Sequence, residues 1–478
     1  MAAPIDPLIP TPAEQKLIDA AAAGQVCTFE IDGLPADPSE SDAWGKARTI
    51  RAVLLATLLT GERADWPVHR KGVRVRGAAI RGELDLASAE VPVPFEAFRC
   101  AFDGPIDVSG ARLQLLDLAG SRLRKRLFGD RLAVRGFVGL GDGLVAEGEV
   151  SLLGATIGGQ LNCEGGTFKN PPTTENPEAR ALVLDGAEVK GDVFLSGGFS
   201  AEGQVRLLGA TILGSMRFTG ASVSAPESVA LDFEHAAITG NLDLTGMTAP
   251  PTGHIDLRNA RVGRLDDDAN SWPELPHRVM LDGFVYGGMQ SPGPAKSRLA
   301  WIERQGAGDG FRVQPYEQLA GYYDSIGHDR AARDVRIAER RAVRADGNLS
   351  KGQKTWSYLL DWTVRYGFNV SPTLWVGLFL LVVGSLIFSS ADDPAIVRNK
   401  TGEGPAFFGP VYALDTFLPI IDLGQEGAFH VDTRERWDLG FTIRPGWVVQ
   451  GYLWFHILAG WVVSTLFVVS FTGLVRKK

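Results

Sequence analysis

Apolar and polar residues alternate in a short phrase that recurs from about residue 73 to about residue 288. The clearest copy is VRLLGATILG at residues 205–214, and near copies are VSLLGATIGG at 150–159 and LVLDGAEVKG at 182–191. Looser copies begin at Val73, Leu231 and Val279. Alternation with a period of two is typical of a strand that buries one face, so the phrase predicts a series of short strands.

Glycine ends most copies of the phrase, and equivalent positions recur at intervals in the low-to-mid twenties. Glycine adopts turn conformations that residues with a Cβ avoid. Because a unit of this length cannot bury its own apolar face, successive units must stack. The fold class we predict is mainly β with α. A parallel β-helix over residues 71–290 has an aliphatic interior and N-terminal helical caps, and a helical hairpin and a two-span membrane domain follow it.

Helical patterns precede the predicted β-helix, and one insertion interrupts it. Residues 1–70 contain a helix that begins near Thr11 and ends at Gly24, and a second helix expected at about 41–59. We expect them to cap the open end of the β-helix, because unpaired strand edges promote aggregation. The insertion NPPTTENPEAR at 170–180 has the composition of an exposed loop, which is either a tolerated excursion or a functional loop.

Two further helices predict a hairpin adaptor at residues 297–350, after a linker at 291–296. The first begins at Pro315 and ends at Gly327, and the spacing of small and aromatic residues resembles one tetratricopeptide-like unit. A single unit has no concave groove, so a packing or oligomerisation role is expected. The second helix is basic and is either solvated or attracted to anionic lipid headgroups; its arginines are Arg333, Arg336, Arg340, Arg341 and Arg344.

Two long apolar segments predict a membrane domain at residues 351–478. Spans are expected at about 369–389 and about 447–472, and each is long enough for the roughly 20 residues that cross a bilayer. Aromatic residues precede the first span and favour the membrane interface. They predict an interfacial helix at about 355–368; the residues are Trp356, Tyr358, Trp362 and Tyr366.

The loop between the spans, residues 391–445, contains a second apolar stretch at 405–424. This stretch is too short to span the bilayer and is interrupted by two prolines. Three structures fit it: a re-entrant half-helix as in channels, a segment lying flat on the outer surface, or part of a folded external loop. Its candidate functional residues are Asp415 and Asp422, because acidic groups select cations in pores.

His456 is the third candidate, since it is the ionisable side chain of the second span. An ionisable residue inside a span is a functional-site hypothesis by default. A neutral histidine that is hydrogen-bonded to a neighbouring helix accounts for the same residue without a functional role. Both interpretations of His456 stay open at this point.

Other groups of polar residues point less clearly to chemistry. The basic residues at 122–126 suggest a solvated corner more than an anion site, and the Asp run at 266–268 suggests a solvated turn more than a cation site. GLGDGL at 139–144 lacks the third glycine of a dinucleotide site. The cysteines lack the spacing of a disulfide framework or a zinc site, and Cys100 and Cys163 fall within the strand pattern as core residues. We therefore expect no catalytic, cofactor-binding or metal residue.

Charge and flanking residues predict the topology. The net charge of −8 gives no support for nucleic acid as a partner. Residues 391–445 hold five basic and nine acidic residues, whereas the flanks of the spans are more basic and include Arg476, Lys477 and Lys478. The positive-inside bias, with no signal peptide recognised at the N-terminus, predicts that both termini are cytoplasmic and the loop external.

Several segments resemble a group of bacterial β-helix membrane proteins. They are RTIRAVLLATLL at 48–59, the coil phrases VRLLGATI and GQLNC, the hairpin at 315–335, YALDTFLPIIDLGQE at 412–426 and GWVVSTLFVVSFTGLVRK at 460–477. The resemblance covers nearly the whole chain. Some members are labelled membrane-associated oxidoreductases, so the resemblance implies that activity, but no catalytic residues carry over. The coils also resemble pentapeptide-repeat proteins, more loosely.

These patterns favour a bacterial inner-membrane protein whose cytoplasmic β-helix rod is a binding, scaffolding or sensing module. One alternative is a channel-like oligomer with a re-entrant segment at 405–424, and another is a membrane-associated oxidoreductase. No cofactor motif is recognised, so an enzyme is the less favoured interpretation. The expected partners are membrane lipids, a protein that contacts the β-helix surface, and further copies of this chain.

Overall fold

The chain forms two compact units, Met1–Ala332 and Arg333–Lys478. The structure is a computed structural model, and it describes residues 8–30, 36–273, 278–305, 311–346, 349–363, 365–367, 371–390, 396–399, 405–433, 437–438, 442–443 and 445–471. The predicted fold class is confirmed: a parallel β-solenoid of about 9 turns, an N-terminal helix, later helices and two candidate membrane spans. The predictions that involve residues 368–370 and 476–478 lie outside the described residues.

Helix α1 (Pro12–Ala23) begins with a capping box, in which Thr11 and Glu14 each accept the other's backbone N–H. The buried Glu14 side chain also accepts from the backbone N–H of Arg51 and from its guanidinium at 2.8 Å. Burial raises the pKa of Glu14, but the hydrogen bonds from Arg51 and Thr11 outweigh it and lower the pKa to about 2. Glu14 therefore remains ionised at neutral pH and links α1 to the chain before α2.

Helix α2 (Ala52–Thr60) begins later than the helix expected at 41–59. The preceding residues form 3-10 turns at Pro38–Ala43 and Lys46–Arg48, followed by a strand at Thr49–Arg51. This strand pairs in parallel with Ala79–Arg81. Pairing with the first coil of the solenoid overrides the helical pattern, because a β-branched residue suits a half-buried sheet position.

Short parallel strands form two sheets along the solenoid. In most coils two strands belong to each sheet, and equivalent strands of successive coils pair in parallel, as Leu127 does with Val150 and Val150 with Leu182. In the described residues the first sheet has 17 strands: Cys27–Thr28, Val73–Arg76, Glu90–Val91, Phe95–Phe98, Arg112–Leu113, Leu116–Asp117, Ala133–Val134, Val138–Gly139, Thr156–Ile157, Leu161–Asn162, Glu188–Val189, Val193–Phe194, Thr211–Ile212, Met216–Arg217, Ala237–Asp243, Arg261–Asp266 and Val285–Met289.

The second sheet runs along the other side of the same coils and has 16 strands among the described residues. They are Thr49–Arg51, Ala79–Arg81, Leu84–Asp85, Ala101–Phe102, Ile106–Asp107, Arg122–Leu123, Leu127–Phe128, Val145–Glu147, Val150–Ser151, Thr167–Lys169, Arg180–Val183, Ser200–Glu202, Gln204–Arg206, Ser222–Asp232, Thr252–Asp256 and Val279–Met280. The insertion at 170–180 lies outside this sheet until Arg180, where the next strand begins, and is mostly exposed.

One corner of each coil has a left-handed backbone conformation. Gly154, Gly186 and Gly209 have φ angles of 62°, 59° and 65° there. At the equivalent corner of later coils, His235 and Asn259 adopt φ angles of 58° and 57°. The stacked coil therefore imposes the conformation, and glycine is the residue that adopts it at the lowest cost.

The last glycine of the phrase has a different role. Gly159, Gly191 and Gly214 have no positive φ but lie against one another in successive coils. A Cβ on Gly214 would lie 2.6 Å from the carbonyl carbon and oxygen of Gly191, and a Cβ on Gly191 would lie 2.8 Å from those of Gly159. The main chains approach so closely at this corner that any side chain would overlap the coil before it.

The interior of the solenoid is apolar, as predicted. Inward-facing valine, leucine and isoleucine side chains are almost fully buried along the stack, and phenylalanine rings such as Phe168 and Phe199 fill wider coils, with centroids 5.3 Å apart. Cys27, Cys100 and Cys163 are buried free thiols, and for Cys100 and Cys163 this matches the expected role as small core residues.

An aromatic layer covers the last coil. It includes Trp301 from α3 (Ala295–Ile302), whose ring centroid lies 5.2 Å from that of Trp272 and 6.4 Å from that of Tyr286. Helix α4 (Gln314–Ser325) adds Tyr322, which lies 5.8 Å from Tyr286. These rings close the apolar interior at this end, as α1 and α2 do at the other.

Helices dominate the second unit. The boundary between the units falls inside α5, and the helices are α5 (Asp329–Ala345), α6 (Lys351–Thr363), α7 (Ser371–Ser390), α8 (Gly409–Phe417) and α9 (Pro445–Phe471). A 3-10 turn at Arg365–Gly367 follows α6. Two antiparallel strand pairs join Ile396–Arg398 to Phe429–Val431 and Trp437–Asp438 to Thr442–Ile443.

Two of these helices are long and apolar enough to cross a membrane, at Ser371–Ser390 and Gly446–Val468. Only 22% and 17% of their most apolar windows are buried in the protein, so their outer faces expose large apolar side chains. Such surfaces mark membrane or protein contact and suggest a membrane association. The most exposed examples include Leu374, Trp375, Phe379 and Leu386 on α7 and Val448, Phe455, Leu458 and Trp461 on α9.

Gly214→Ala tests the close stacking of the coils. We expect a loss of about 1–3 kcal/mol in the stability of the first unit, because overpacking forces backbone shifts of that cost. Thermal unfolding of the full chain measures the change. The control is Gly321→Ala in α4, where a Cβ would meet nothing within 4 Å and alanine improves helix propensity. Equal melting temperatures for Gly214→Ala and the wild type would show that the corner tolerates a side chain.

Candidate functional site

Helix α8 enters the space between α7 and α9. Its first residue, Gly409, lies against the last turn of α7, where a Cβ would come within 2.8 Å of the Ser389 backbone nitrogen. Its last residue, Phe417, lies beside Gly460 of α9, where a Cβ would come within 2.8 Å of the Phe417 carbonyl carbon. The Phe417 ring also reaches Gly377 of α7. Residues 409–417 therefore pack against both long helices.

The depth of α8 follows from the rise of the flanking helices. At 1.5 Å per residue, Gly460 is roughly 20 Å along α9 from Gly446, and Gly377 is roughly 20 Å along α7 from Ser390. These ends are the ones that adjoin the loop between the candidate spans. The hydrocarbon core of a bilayer is about 30 Å thick. If both helices cross the membrane, α8 ends more than halfway through it.

His456 joins α9 to α8. Its side chain is fully buried, and Nε2 lies 3.0 Å from the carbonyl oxygen of Ala413 in α8. A carbonyl only accepts, so Nε2–H donates, and Nδ1 lies 3.3 Å from the Tyr452 hydroxyl. Gly384 of α7 leaves room for the ring, since a Cβ there would lie 2.6 Å from Cε1. The imidazole thus joins α9 to α8 and lies against α7.

Asp415 shapes the segment after α8. The carboxylate is 3% exposed and accepts hydrogen bonds from the backbone N–H groups of Leu423, Gln425 and Glu426 at 2.5, 2.7 and 2.8 Å. The chain therefore turns back beside α8 as a return segment, which we define as residues 418–424. With its oxygens engaged in this way, Asp415 anchors the return segment and does not face open space.

Asp422 lies in the return segment and is exposed. Its Oδ1 accepts only the N–H of Gly424, at 2.8 Å, among the described residues. The neighbouring apolar side chains are also uncovered, with Ile420 86% and Ile421 49% exposed. The structure thus separates the two predicted carboxylates: Asp415 is buried and saturated, whereas Asp422 is available to a ligand.

The main chain of the return segment has unpaired acceptors. Nothing in the described part of the chain donates a hydrogen bond to the carbonyl oxygens of residues 420–423. Residues 420 and 421 also line an apolar cavity of about 520 Å³, together with Leu374, Leu378, Val463 and Phe467 of the two long helices. The side chains around this part of the return segment are therefore mostly apolar, with Thr373 and Ser464 as the hydroxyl groups among them.

The charge around this site is of one sign. Residues 405–433 contain Asp415, Asp422, Glu426 and Asp432 but no lysine or arginine. The C-terminal end of α8, which carries the negative end of its helix dipole, points towards the return segment. The electrostatic environment consequently favours a cation over an anion.

Polar groups on the solenoid are mostly satisfied by ion pairs. In the predicted solvated turn at 266–268 the first two residues are instead paired and largely covered: Asp266 binds Arg264, and Asp267 binds Arg298 through two bonds of 2.7 and 2.8 Å. The sequence missed this because Arg298 is distant along the chain and comes near only when α3 covers the last coil. Asp268 caps a 3-10 turn at Ala269–Ser271.

Two other charged clusters on the solenoid are also neutralised. Asp232, Glu234 and Asp256 lie within 4.8 Å of one another, but Arg258 pairs with Asp256 at 2.6 Å and with Glu234 at 3.3 Å. In the basic cluster at 122–126, Arg122, Arg124 and Arg126 each pair with an acidic side chain. The charged groups of these two clusters are therefore largely engaged in ion pairs on the surface of the solenoid and do not form an open ligand site.

A shallow trough on the first sheet is more open. It has a volume of about 560 Å³ and is lined by residues of successive coils, including Arg112, Arg135, Gly158 and Lys190. Arg112 pairs with Glu90. Arg135 and Lys190 are exposed and have no ion-pair partner among the described residues.

The interfacial helix expected at about 355–368 corresponds to α6 and the 3-10 turn after it. Trp356, Tyr358 and Trp362 are 58%, 61% and 69% exposed on α6. Asp361 of the same helix pairs with Arg341 and Arg344 of α5 at 2.8 and 3.0 Å. These two arginines of the basic helix are therefore engaged within the protein.

Comparisons with known proteins add no identification: no protein-family model, no curated protein and no solved structure matches the chain. They therefore lend no support to the bacterial origin or to the oxidoreductase label implied by the resemblance. The site is consequently interpreted from its geometry.

Gly460→Ala tests the close contact between α8 and α9. We expect a loss of about 1–3 kcal/mol, because the new methyl group overlaps the backbone of Phe417 and must push α8 away. The measurement is the thermal unfolding of the detergent-solubilised chain, followed by tryptophan fluorescence.

The matched control is Gly451→Ala in the same helix, where a Cβ meets nothing within 4 Å. It should unfold at or slightly above the wild-type temperature, because alanine favours helix by about 1 kcal/mol. If the two variants behave alike, α8 does not lie against Gly460.

Proposed function

We propose that this protein is a channel-like membrane oligomer in which the return segment lines the conduction path. The observation that supports the proposal is the row of carbonyl oxygens at residues 420–423, to which no described residue donates and which follow α8 in the loop between the two candidate spans. This is the channel-like alternative that the sequence raised for residues 405–424.

The physical basis is the cost of unpaired backbone in lipid. Non-helical backbone is tolerated at membrane depth only where it is buried in protein or lines a water-filled cavity. The carbonyl oxygens of residues 420–423 have no protein partner in the described chain, so water or ions are the partners that satisfy them. Rings of backbone carbonyls and of acidic side chains are the elements from which selectivity filters are built.

A single copy does not enclose a path, and this supports a homo-oligomer. Ile420 and Ile421 remain uncovered, and α7, α8 and α9 bound only one side of the return segment. Further copies, related by a rotation axis, would place several return segments around a common centre. The packing of those segments sets the number of copies, which the mass of the oligomer measures.

Purified full-length chain in lipid nanodiscs and in liposomes provides the test. We expect an oligomer by native mass spectrometry and ion flux across the liposome membrane. Gly451→Ala should retain the flux, whereas Gly460→Ala should reduce it, because a displaced α8 misplaces the return segment. A monomer in nanodiscs together with wild-type liposomes that pass no ions would refute the proposal.

The solenoid is the binding or sensing module in this proposal. We place it, with both termini, on the cytoplasmic side of a bacterial inner membrane, and residues 391–445 outside; the uneven distribution of basic residues supports this placement. The trough with Arg135 and Lys190 supports binding of an acidic protein segment, since unpaired basic side chains attract such a partner.

A photo-crosslinker beside the trough, at Ala133, tests the partner and the topology together. We expect crosslinks to a cytoplasmic protein, lost in the double variant Arg135→Glu and Lys190→Glu because the attraction becomes repulsion. Lys71→Glu, a single charge reversal at an exposed residue elsewhere on the first unit, should keep them. Unchanged crosslinks in the double variant would contradict binding of the partner at the trough. Crosslinks to an exported protein would contradict the cytoplasmic location of the solenoid.

A further inference from the structure

We infer that the return segment coordinates small, partly dehydrated cations, with the carbonyl oxygens of residues 420–423 and the Asp422 carboxylate as ligands. This inference deepens the proposed channel function and rests on it for the supply of further ligands by other copies. The two carboxylates, which the sequence left equivalent, have different roles: Asp422 is a ligand and Asp415 is a positioning residue.

The ligand chemistry is that of hard cations. Alkali and alkaline-earth ions bind carbonyl and carboxylate oxygens, and carbonyl oxygens can replace the hydration shell of an ion in a filter. The return segment offers four consecutive carbonyl oxygens without a donor, and one carboxylate of which only Oδ1 accepts a hydrogen bond, from Gly424. The return segment offers an anion fewer unpaired N–H donors than it offers a cation unpaired carbonyl oxygens.

The electrostatic environment of the return segment also favours a cation. The C-terminal end of α8 directs its dipole towards the return segment, and no lysine or arginine occurs between residues 405 and 433. Arg398, which precedes this stretch, donates to the carbonyl oxygen of Pro405 at 2.8 Å. It therefore binds at the beginning of the stretch, and among the described residues no lysine or arginine pairs with Asp422.

Asp415 is the positioning residue of this site. Its three hydrogen bonds to Leu423, Gln425 and Glu426 hold the return segment beside α8, and the carbonyl groups of residues 420–423 are left without an intramolecular partner. A cation would thus be bound by a segment whose shape is already set, which lowers the cost of ordering on binding.

The first experiment measures selectivity. The wild-type chain is reconstituted in liposomes under a potassium chloride gradient, and the reversal potential gives the ratio of cation to chloride permeability. Asp422→Asn should lower this ratio at least about fivefold, which corresponds to roughly 1 kcal/mol of lost attraction. Asp422→Glu, which keeps the charge, should restore most of it.

The matched control is Glu426→Gln, which removes the same charge from an exposed residue just beyond the return segment. It should change the ratio less than Asp422→Asn does. If both changes lower the ratio equally, diffuse surface charge accounts for the selectivity and the inference fails. It also fails if Asp422→Asn leaves the ratio unchanged while the channel still conducts.

The second experiment separates this inference from the proposed function. Thermal unfolding in nanodiscs is compared in potassium chloride and in N-methylglucamine chloride, whose cation is too bulky to enter. A bound ion raises the stability of the wild type, and Asp422→Asn should lose that difference. A cation effect without ion flux would refute the channel but keep the cation site; flux without a cation effect or cation selectivity would refute the site and keep the channel.

Discussion

The pairing of backbone hydrogen-bonding groups is the constraint on which both units depend. In the solenoid, strands of two to four residues are common, and each obtains its partners from the coils on either side, as Val150 does from Leu127 and Leu182. A coil on its own would leave most of these groups unpaired, so the coils are stable only as a stack. In the second unit, α7, α8 and α9 pair their backbone groups internally. In the return segment several N–H groups are paired, but among the described residues nothing donates to the carbonyl oxygens of residues 420–423.

Glycine permits close main-chain approach in both units, with different consequences. Gly214 lets one coil lie directly on the next, and the result is a rod of regular spacing. Gly460 lets α8 lie directly on α9, and Gly384 makes room for the His456 ring that binds α8. In the first unit the close approach at glycine repeats from coil to coil and builds the solenoid. In the second unit it occurs at single glycines and sets how far α8 reaches between α7 and α9.

Much of the architecture was predictable because it depends on local patterns. A period of two with glycine at a fixed step specifies stacked strands, and a long run without charge specifies a candidate span. Errors occurred where a distant partner decided the structure. Thr49–Arg51 has a helical pattern but pairs with Ala79–Arg81, and Asp267 is covered because Arg298 arrives from α3. The candidate residues Asp415, Asp422 and His456 were found by their chemical type, but nothing local distinguished their environments.

The sequence by itself determined the repeat, the apolar interior, the two candidate spans and the identity of the ionisable groups near them. These depend on composition and on spacing over a few residues. Only the tertiary structure decided that α8 lies between α7 and α9, that Asp415 is saturated by backbone N–H groups, and that Asp422 is exposed while no described residue donates to the carbonyl oxygens of residues 420–423. The physical reason is that a hydrogen bond depends on which groups meet in space, and residues 413 and 456, or 417 and 460, meet only after the helices have packed.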